Sequence, residues 1–127
     1  MPIHFSNDNG IVVTTLAGRV TDDELIGYYK GTDFSSAAFP WRELIDGSSV
    51  EEMAITPKGQ WMLAAYVLSR SAELSGGKVA MVAGSEMMFG MFRMWEGQRS
   101  DMDYEVRVFH DLGFALRWIR EHRIPPK

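Results

Sequence analysis

The 127-residue chain contains no cysteine. That excludes a disulfide framework, a thiolate metal site and a cysteine nucleophile. It also fits a reducing compartment, and the expected location is the cytoplasm. Histidine is scarce: His4, His110 and His122 stand far apart, without the short i, i+4 type spacings that bring two ring nitrogens to one metal, so no metal site is expected. Positive charge is in deficit, with 13 Lys and Arg against 17 Asp and Glu and a net charge of −4. Such a chain has no electrostatic reason to hold nucleic acid or an anionic membrane. Arg93, Arg99, Arg107, Arg117, Arg120 and Arg123 gather in the C-terminal third, but acidic residues interleave with them, so they read as a solvated face. Long apolar runs are missing as well. Trp61–Leu68 is far too short to span a bilayer, and the first residues, MPIHFSNDNG, lack the basic-then-apolar pattern of a signal peptide.

What is present suits one soluble α/β domain over residues 1–127, with 46% hydrophobic and 24% charged residues. Asn9-Gly10 between Ile3–Asp8 and Ile11–Ala17 predicts an antiparallel hairpin. Thr21-Asp22-Asp23-Glu24 predicts a capped helix start whose acids suit the positive end of the helix dipole. Leu25, Ile26, Tyr28 and Tyr29 supply its buried face, and Gly31 its end. After a loop over Asp33–Pro40, with Phe34 and Phe39 tucked beneath it, Trp41–Asp46 reads as a third strand closed by Asp46–Ser49. Thr56-Pro57 opens a second helix, with Trp61, Ala65, Leu68 and Ala72 at helical spacing as its apolar face. Lys78–Ala83 is a short strand, apolar throughout, as a strand covered on both sides should be. A Gly84-Ser85 turn leads into a methionine-rich helix, with Met87, Met88, Met91, Phe92 and Trp95 on one face. A polar loop, a fifth strand over Tyr104–Phe109, a last helix from His110-Asp111 and a Pro125-Pro126 end complete the chain. Strands alternating with helices predict a five-stranded, mostly parallel sheet with right-handed crossovers and the main helices largely on one face.

The strings LAGRVTDDEL, ELIDG, KVAMVAG, MFGMFRMWE and VRVFHDLGFALRWI, in this order and spacing, resemble the SpoIIAA-like family of small bacterial proteins. The resemblance runs from about Ile11 to Ile119. It implies a (βα)n superhelix similar to the STAS domain and to the CRAL-TRIO lipid-carrying domain, and it implies fold more than function. STAS-type anti-sigma factor antagonists carry an Asp-Ser-Ser-Gly loop whose serine is phosphorylated. The comparable junction here, DGSSVEEMAITPKG, offers Ser48, Ser49 and Thr56 as phosphorylation candidates but no intact Asp-Ser-Ser-Gly.

Ligands of parallel α/β sheets favour the edge where the strands' carboxyl ends meet. There the sequence places Arg19, Asp46, Ser48, Ser49, Ser85 and His110 as candidate ligand-binding residues. Helix capping explains Thr21, Thr56, Ser85 and Asp111 without a ligand and is the favoured reading. A hydrolase would need Ser48 or Ser85 hydrogen-bonded to His110 with Asp46 behind it, and the sequence around Ser85 is not a G-x-S-x-G elbow. Met87, Met91, Phe92 and Trp95 would wall an apolar pocket or form a dimer face. The leading expectation is a non-enzymatic module without cofactor, forming a homodimer or meeting a protein partner. A carrier of a small apolar ligand is the alternative.

Overall fold

A computed structural model of the protein describes residues 3–8, 10–31, 41–70, 74–98 and 104–121. Asn9, the loop with Phe34 and Phe39, Ala72, most of the polar loop before Tyr104, His122 and Pro125-Pro126 lie outside the described residues. The elements run β1 (Ile3–Asp8), β2 (Ile11–Thr21), α1 (Asp22–Gly31), β3 (Arg42–Ala54), α2 (Pro57–Ser69), β4 (Lys78–Ala83), α3 (Glu86–Gln98), β5 (Glu105–Phe109) and α4 (Leu112–Glu121). The strands lie side by side in chain order. β2 to β5 are mutually parallel, and β1 pairs antiparallel with β2.

This order fixes where the helices go. Each parallel step from β2 to β5 advances in the same direction, and a right-handed crossover then places its helix on the same face every time. Accordingly α1, α2 and α3 share one face, and their side chains pack with Val12, Leu16, Val20, Ile45, Val79, Met81 and Val108. α4 follows the last strand and belongs to no crossover. It crosses beneath the sheet and closes the second face, where Ala115 and Ile119 meet Ile11, Leu44, Ala80 and Val82. The sheet is therefore covered on both sides, which is why β4 is buried at every position.

Two strands run past their sequence-predicted ends. β2 continues to Thr21 and β3 to Ala54. The last pair between β3 and β4 is Gly47↔Ala83, so Ser48–Ala54 pairs with β2 alone as a two-stranded ribbon. Between Thr15↔Asp46 and Ala17↔Ser49 β3 carries one residue more than β2, and again between Gly18↔Val50 and Arg19↔Glu52. Both are bulges, which bend and twist a strand without ending it. Gly47 and Ser48, read as part of a terminator at Asp46–Ser49, are bulge residues instead.

The buried face of α2 also differs from its apolar spacing. Gly59, Leu63 and Val67 are its buried residues, Leu63 and Val67 packing in the cluster on the sheet and Gly59 against Asp22 of α1. Trp61 is 73% exposed and Leu68 54%, and Ala65 lies between them on the outside. From Gly59 to Ser69 the helix has no charged residue, so the sequence carries two apolar stripes and periodicity alone does not choose between them.

The main polar feature of the core is a chain of hydrogen bonds beneath α1. Glu43 is 2% exposed. Its carboxylate accepts from Thr14 Oγ1 at 2.8 Å and from Trp41 Nε1 at 3.3 Å. Thr14 has one hydroxyl proton and donates it to Glu43, so the 2.7 Å contact between Thr14 Oγ1 and Tyr28 runs from the tyrosine hydroxyl to the threonine. Strands β2 and β3 and helix α1 are thus tied by one network whose Thr14 and Glu43 members are buried, where an unmatched group is costly. Thr14→Val is expected to lower the unfolding free energy by about 1–3 kcal/mol, because it removes both a donor and an acceptor from buried partners. Urea denaturation measures this, and a neutral result would show that the network contributes little.

Candidate functional site

The carboxyl edge of the sheet brings some of the candidate residues together and separates others. Asp46 and Ser48 meet at the first bulge, where Asp46 Oδ1 accepts from the Ser48 backbone N–H at 3.0 Å and from Ser48 Oγ at 2.6 Å. Ser49 is the exposed bulge neighbour, paired through its backbone with Ala17. Ser85 Oγ accepts from the Met88 backbone N–H at 3.2 Å and so caps α3. His110 stacks on Phe89, with ring centroids 3.8 Å apart and 12° between the planes. Its Nδ1 lies 3.7 Å from Glu86 Oε1, both side chains being largely exposed.

Arg19 is not part of this group. It sits four residues beyond Thr15, the partner of Asp46, which is roughly 13 Å along the strand at ~3.3 Å per residue. Out on the ribbon it forms a surface ion pair with Glu52 at 3.3 Å. The expectation that four strand ends converge on one line fails here because β2 and β3 continue past β4.

A serine–histidine–carboxylate relay is not assembled either. Asp46 orients Ser48 rather than a histidine, Ser85 serves the helix, and His110 faces Glu86 and Phe89. Among the described residues no serine hydroxyl is hydrogen-bonded to His110, and none of their His, Asp and Glu side chains group as metal ligands.

The edge is also filled from within. Met88 turns back from the first turn of α3 and lies against Gly47, so that a Cβ on Gly47 would collide with the methionine methyl group. Its sulfur accepts weakly from the Gly84 backbone N–H at 3.5 Å. The crevice where parallel sheets usually receive ligands thus holds the chain's own thioether.

The methionine helix divides along its length. Met88, Phe92 and Trp95 are buried at 3%, 0% and 5% exposure and face the sheet. Met91 is half-buried, whereas Met87 is 83% exposed. At about 100° per residue Met87 stands a quarter turn from Met88 and further from Phe92, which removes it from their face. The four residues expected to wall a pocket or a dimer face therefore do not form one surface. Trp95 Nε1 is a buried donor with no acceptor among the described residues.

The N-terminus of α2 is closed by an interaction that no local pattern reveals. Thr56 caps it, its Oγ1 accepting from the Gly59 N–H at 3.0 Å. The Asp22 carboxylate, at the start of α1, then accepts from both the Thr56 backbone N–H (2.9 Å) and the Thr56 hydroxyl. Its charge occupies the positive pole of α2, where an external anion would bind. Thr21 and Glu24 meanwhile form the expected capping box, the Thr21 N–H donating to Glu24 Oε1 at 3.0 Å and the Glu24 N–H to Thr21 Oγ1 at 3.4 Å.

On the α4 face a second charged cluster lies at the other end of the sheet. Arg42, Lys78 and Glu105 stand in register across β3, β4 and β5. Lys78 is 3% exposed, with its Nζ 5.9 Å from the centre of the Trp118 ring, and Arg107 approaches the same ring at 5.4 Å. Burial pushes the Lys78 amine below its ordinary value of 10.5. Glu105 draws it back up and Arg42 lowers it further. No local pattern singles out this lysine, which opens a strand that otherwise reads as apolar.

No family model matches the chain and no curated protein matches it. Among solved structures the fold is similar to an uncharacterized protein of the DUF3478 family with a SpoIIAA-like fold from Shewanella loihica PV-4. The TM-score is 0.60 at 18% identity, over 92% of this chain and 91% of that one. The chain thus has a SpoIIAA-like fold of the α/β class. Among the described residues no helix is long and apolar enough to cross a membrane.

Two outcomes test these arrangements. A Cβ at position 59 would collide with the Asp22 carboxyl group. Gly59→Ala is therefore expected to cost about 1–3 kcal/mol, and much less in an Asp22→Gly background, as a double-mutant cycle by chemical denaturation would read. For Lys78, the unfolded chain keeps its proton up to 10.5 while the folded chain releases it lower. Between those points the unfolded state binds more protons, so stability rises with pH. Wild type should gain stability relative to Lys78→Met as pH climbs toward 10.5, and a constant difference would mean that the amine is not desolvated.

Proposed function

We propose that the protein is a non-enzymatic, STAS-like module of the cytoplasm that regulates or scaffolds through protein–protein contacts. The observation that carries this reading is that Asp46, Ser48, Ser85 and Thr56 at the helix starts and the sheet edge already bond within the chain. Ser48 is held by Asp46, Ser85 caps α3, Thr56 is bound by Asp22, and Met88 fills the crevice. A hydrolase needs a free nucleophile beside a base, and this edge presents neither pairing. Ser48 and Ser49 remain exposed on the bulge and are the better-placed phosphorylation candidates. A phosphate on Thr56 would set a second negative charge against Asp22 and would disrupt the α2 cap.

A second reading, a carrier of a small apolar ligand, is favoured by one feature. The Trp95 indole N–H lies buried in the apolar cluster without an acceptor among the described residues, and a ligand oxygen would satisfy it.

Native mass spectrometry on protein purified gently from its own host separates the two. The contact reading expects only the polypeptide mass or multiples of it. An added mass of a few hundred daltons that leaves on organic extraction would overturn it in favour of the carrier.

A further inference from the structure

We propose that the outward face of α2 is a self-association surface whose occupant is the same face of a second copy of this chain, packed antiparallel about a two-fold axis. The proposal rests on the contact reading above and assigns to it one surface and one partner.

α2 is the middle helix of its layer, yet it lacks the usual outward face of such a helix. Outer helices carry charged and polar residues on the side away from the core, and a helix that is apolar all round is a buried one. Here Leu63 and Val67 face the sheet while Trp61, Met62, Ala65 and Leu68 face out. Trp61 at 73% exposure is the most exposed aromatic side chain among the described residues. Gln60 extends the surface toward α3, its Nε2 lying 3.8 Å from the sulfur of Met94, which is 48% exposed.

The size of this surface fits a dimer. Trp61, Met62, Ala65, Leu68 and Met94 together expose roughly 500 Å², taking aromatic side chains at about 150–250 Å² and the others somewhat less. One partner of a standard interface contributes about 800 Å², of which roughly 60% is non-polar. A patch of this size matches the largest apolar patch of a typical monomer, which often serves a function.

Its charge pattern selects a second copy. A two-fold contact sets each patch against itself, so any concentrated charge would face its own sign. The outward stripe has one charge, Lys58, at its N-terminal end. In an antiparallel pair the two Lys58 side chains lie at opposite ends, about 20 Å apart for a 13-residue helix at 1.5 Å per residue. Each then lies at the C-terminal end of the opposing α2, whose carbonyls favour a cation and whose cap, Arg70, is turned to the Tyr66 hydroxyl of its own helix at 3.4 Å. Ala65, near the middle of the stripe, lets the two helices approach, and Trp61 supplies the large rigid anchor typical of interface hot spots.

Sedimentation equilibrium at micromolar concentration should give twice the 14.4 kDa chain mass. Trp61→Glu should weaken the dimer roughly 30-fold or more while leaving the far-ultraviolet spectrum unchanged, because the residue is outside the core. Phe114→Glu, on the opposite face of the molecule, should leave the dimer intact. Because the chain has no cysteine, Ala65→Cys provides a position-specific readout: mild oxidation should link two chains through it, and Phe114→Cys should not link them. A wild-type monomer would overturn the proposal, as would a dimer that persists in Trp61→Glu without linking through Ala65→Cys. A bare monomer would leave the contact reading standing with a different partner. A retained small molecule would overturn that reading independently of chain number.

Discussion

Handedness is the constraint from which the rest of this structure follows. β2, β3, β4 and β5 succeed one another across the sheet without reversing direction, so each right-handed crossover adds its helix to the same side. Three helices accumulate there and none is placed on the other side by a crossover. The chain resolves that imbalance with α4, which joins no two strands and covers the second face. A sheet advancing in one direction also has no topological switch point, the place where α/β proteins of alternating direction open a crevice for ligands. Met88 and Gly47 close what opening remains at the carboxyl edge.

One cap also links two helices to each other. Asp22 belongs to the first turn of α1, yet its carboxylate serves the start of α2 through Thr56. Gly59 is the complement of that contact, since the carboxyl group occupies the space of a Cβ. One acidic side chain from α1 thereby completes the start of α2, ties α1 to α2, and occupies a site that resembles an anion-binding pole in the sequence. The Glu43 network does similar work deeper in the core, joining α1 to β2 and β3 through Thr14 and Tyr28. Both arrangements use polar groups to set the relative position of elements that apolar packing alone would leave free to slide.

Features governed by residues near in sequence were legible. The Thr21–Glu24 box, the Thr56 cap, the Ser85 turn and the limits of β4 depend on neighbours within a few positions. Three features were not, each for a specific reason. The ends of β2 and β3 were hidden because glycine and serine at a bulge have the composition of a turn. The buried face of α2 was hidden because the helix has no charge from Gly59 on and offers two apolar stripes, between which tertiary packing of Leu63 and Val67 and the approach of Asp22 to Gly59 choose. Met87 was grouped with Phe92 and Trp95 because composition does not resolve a rotation of about 100°. Of the edge residues, Asp46 and Ser48 meet as spacing suggested, but the ribbon carries Arg19 away from them.

Ser48, placed at the ligand edge, turns to Asp46, and Ser85 and Thr56 serve as the helix caps that were the favoured reading of them. Residues expected to face the core turned outward, as Trp61 and Leu68 do. Polar groups that could begin chemistry are therefore held by the chain, while apolar groups that would normally stabilise it are left in water. A tryptophan in water stabilises nothing in the isolated chain. Burying it against a second surface recovers the hydrophobic free energy that the fold leaves unused, about 25 cal/mol for each Å² covered before the costs of association. The physical asymmetry of the molecule, a filled edge beside a helix whose exposed side is apolar from Trp61 to Leu68, is what the proposed association rests on.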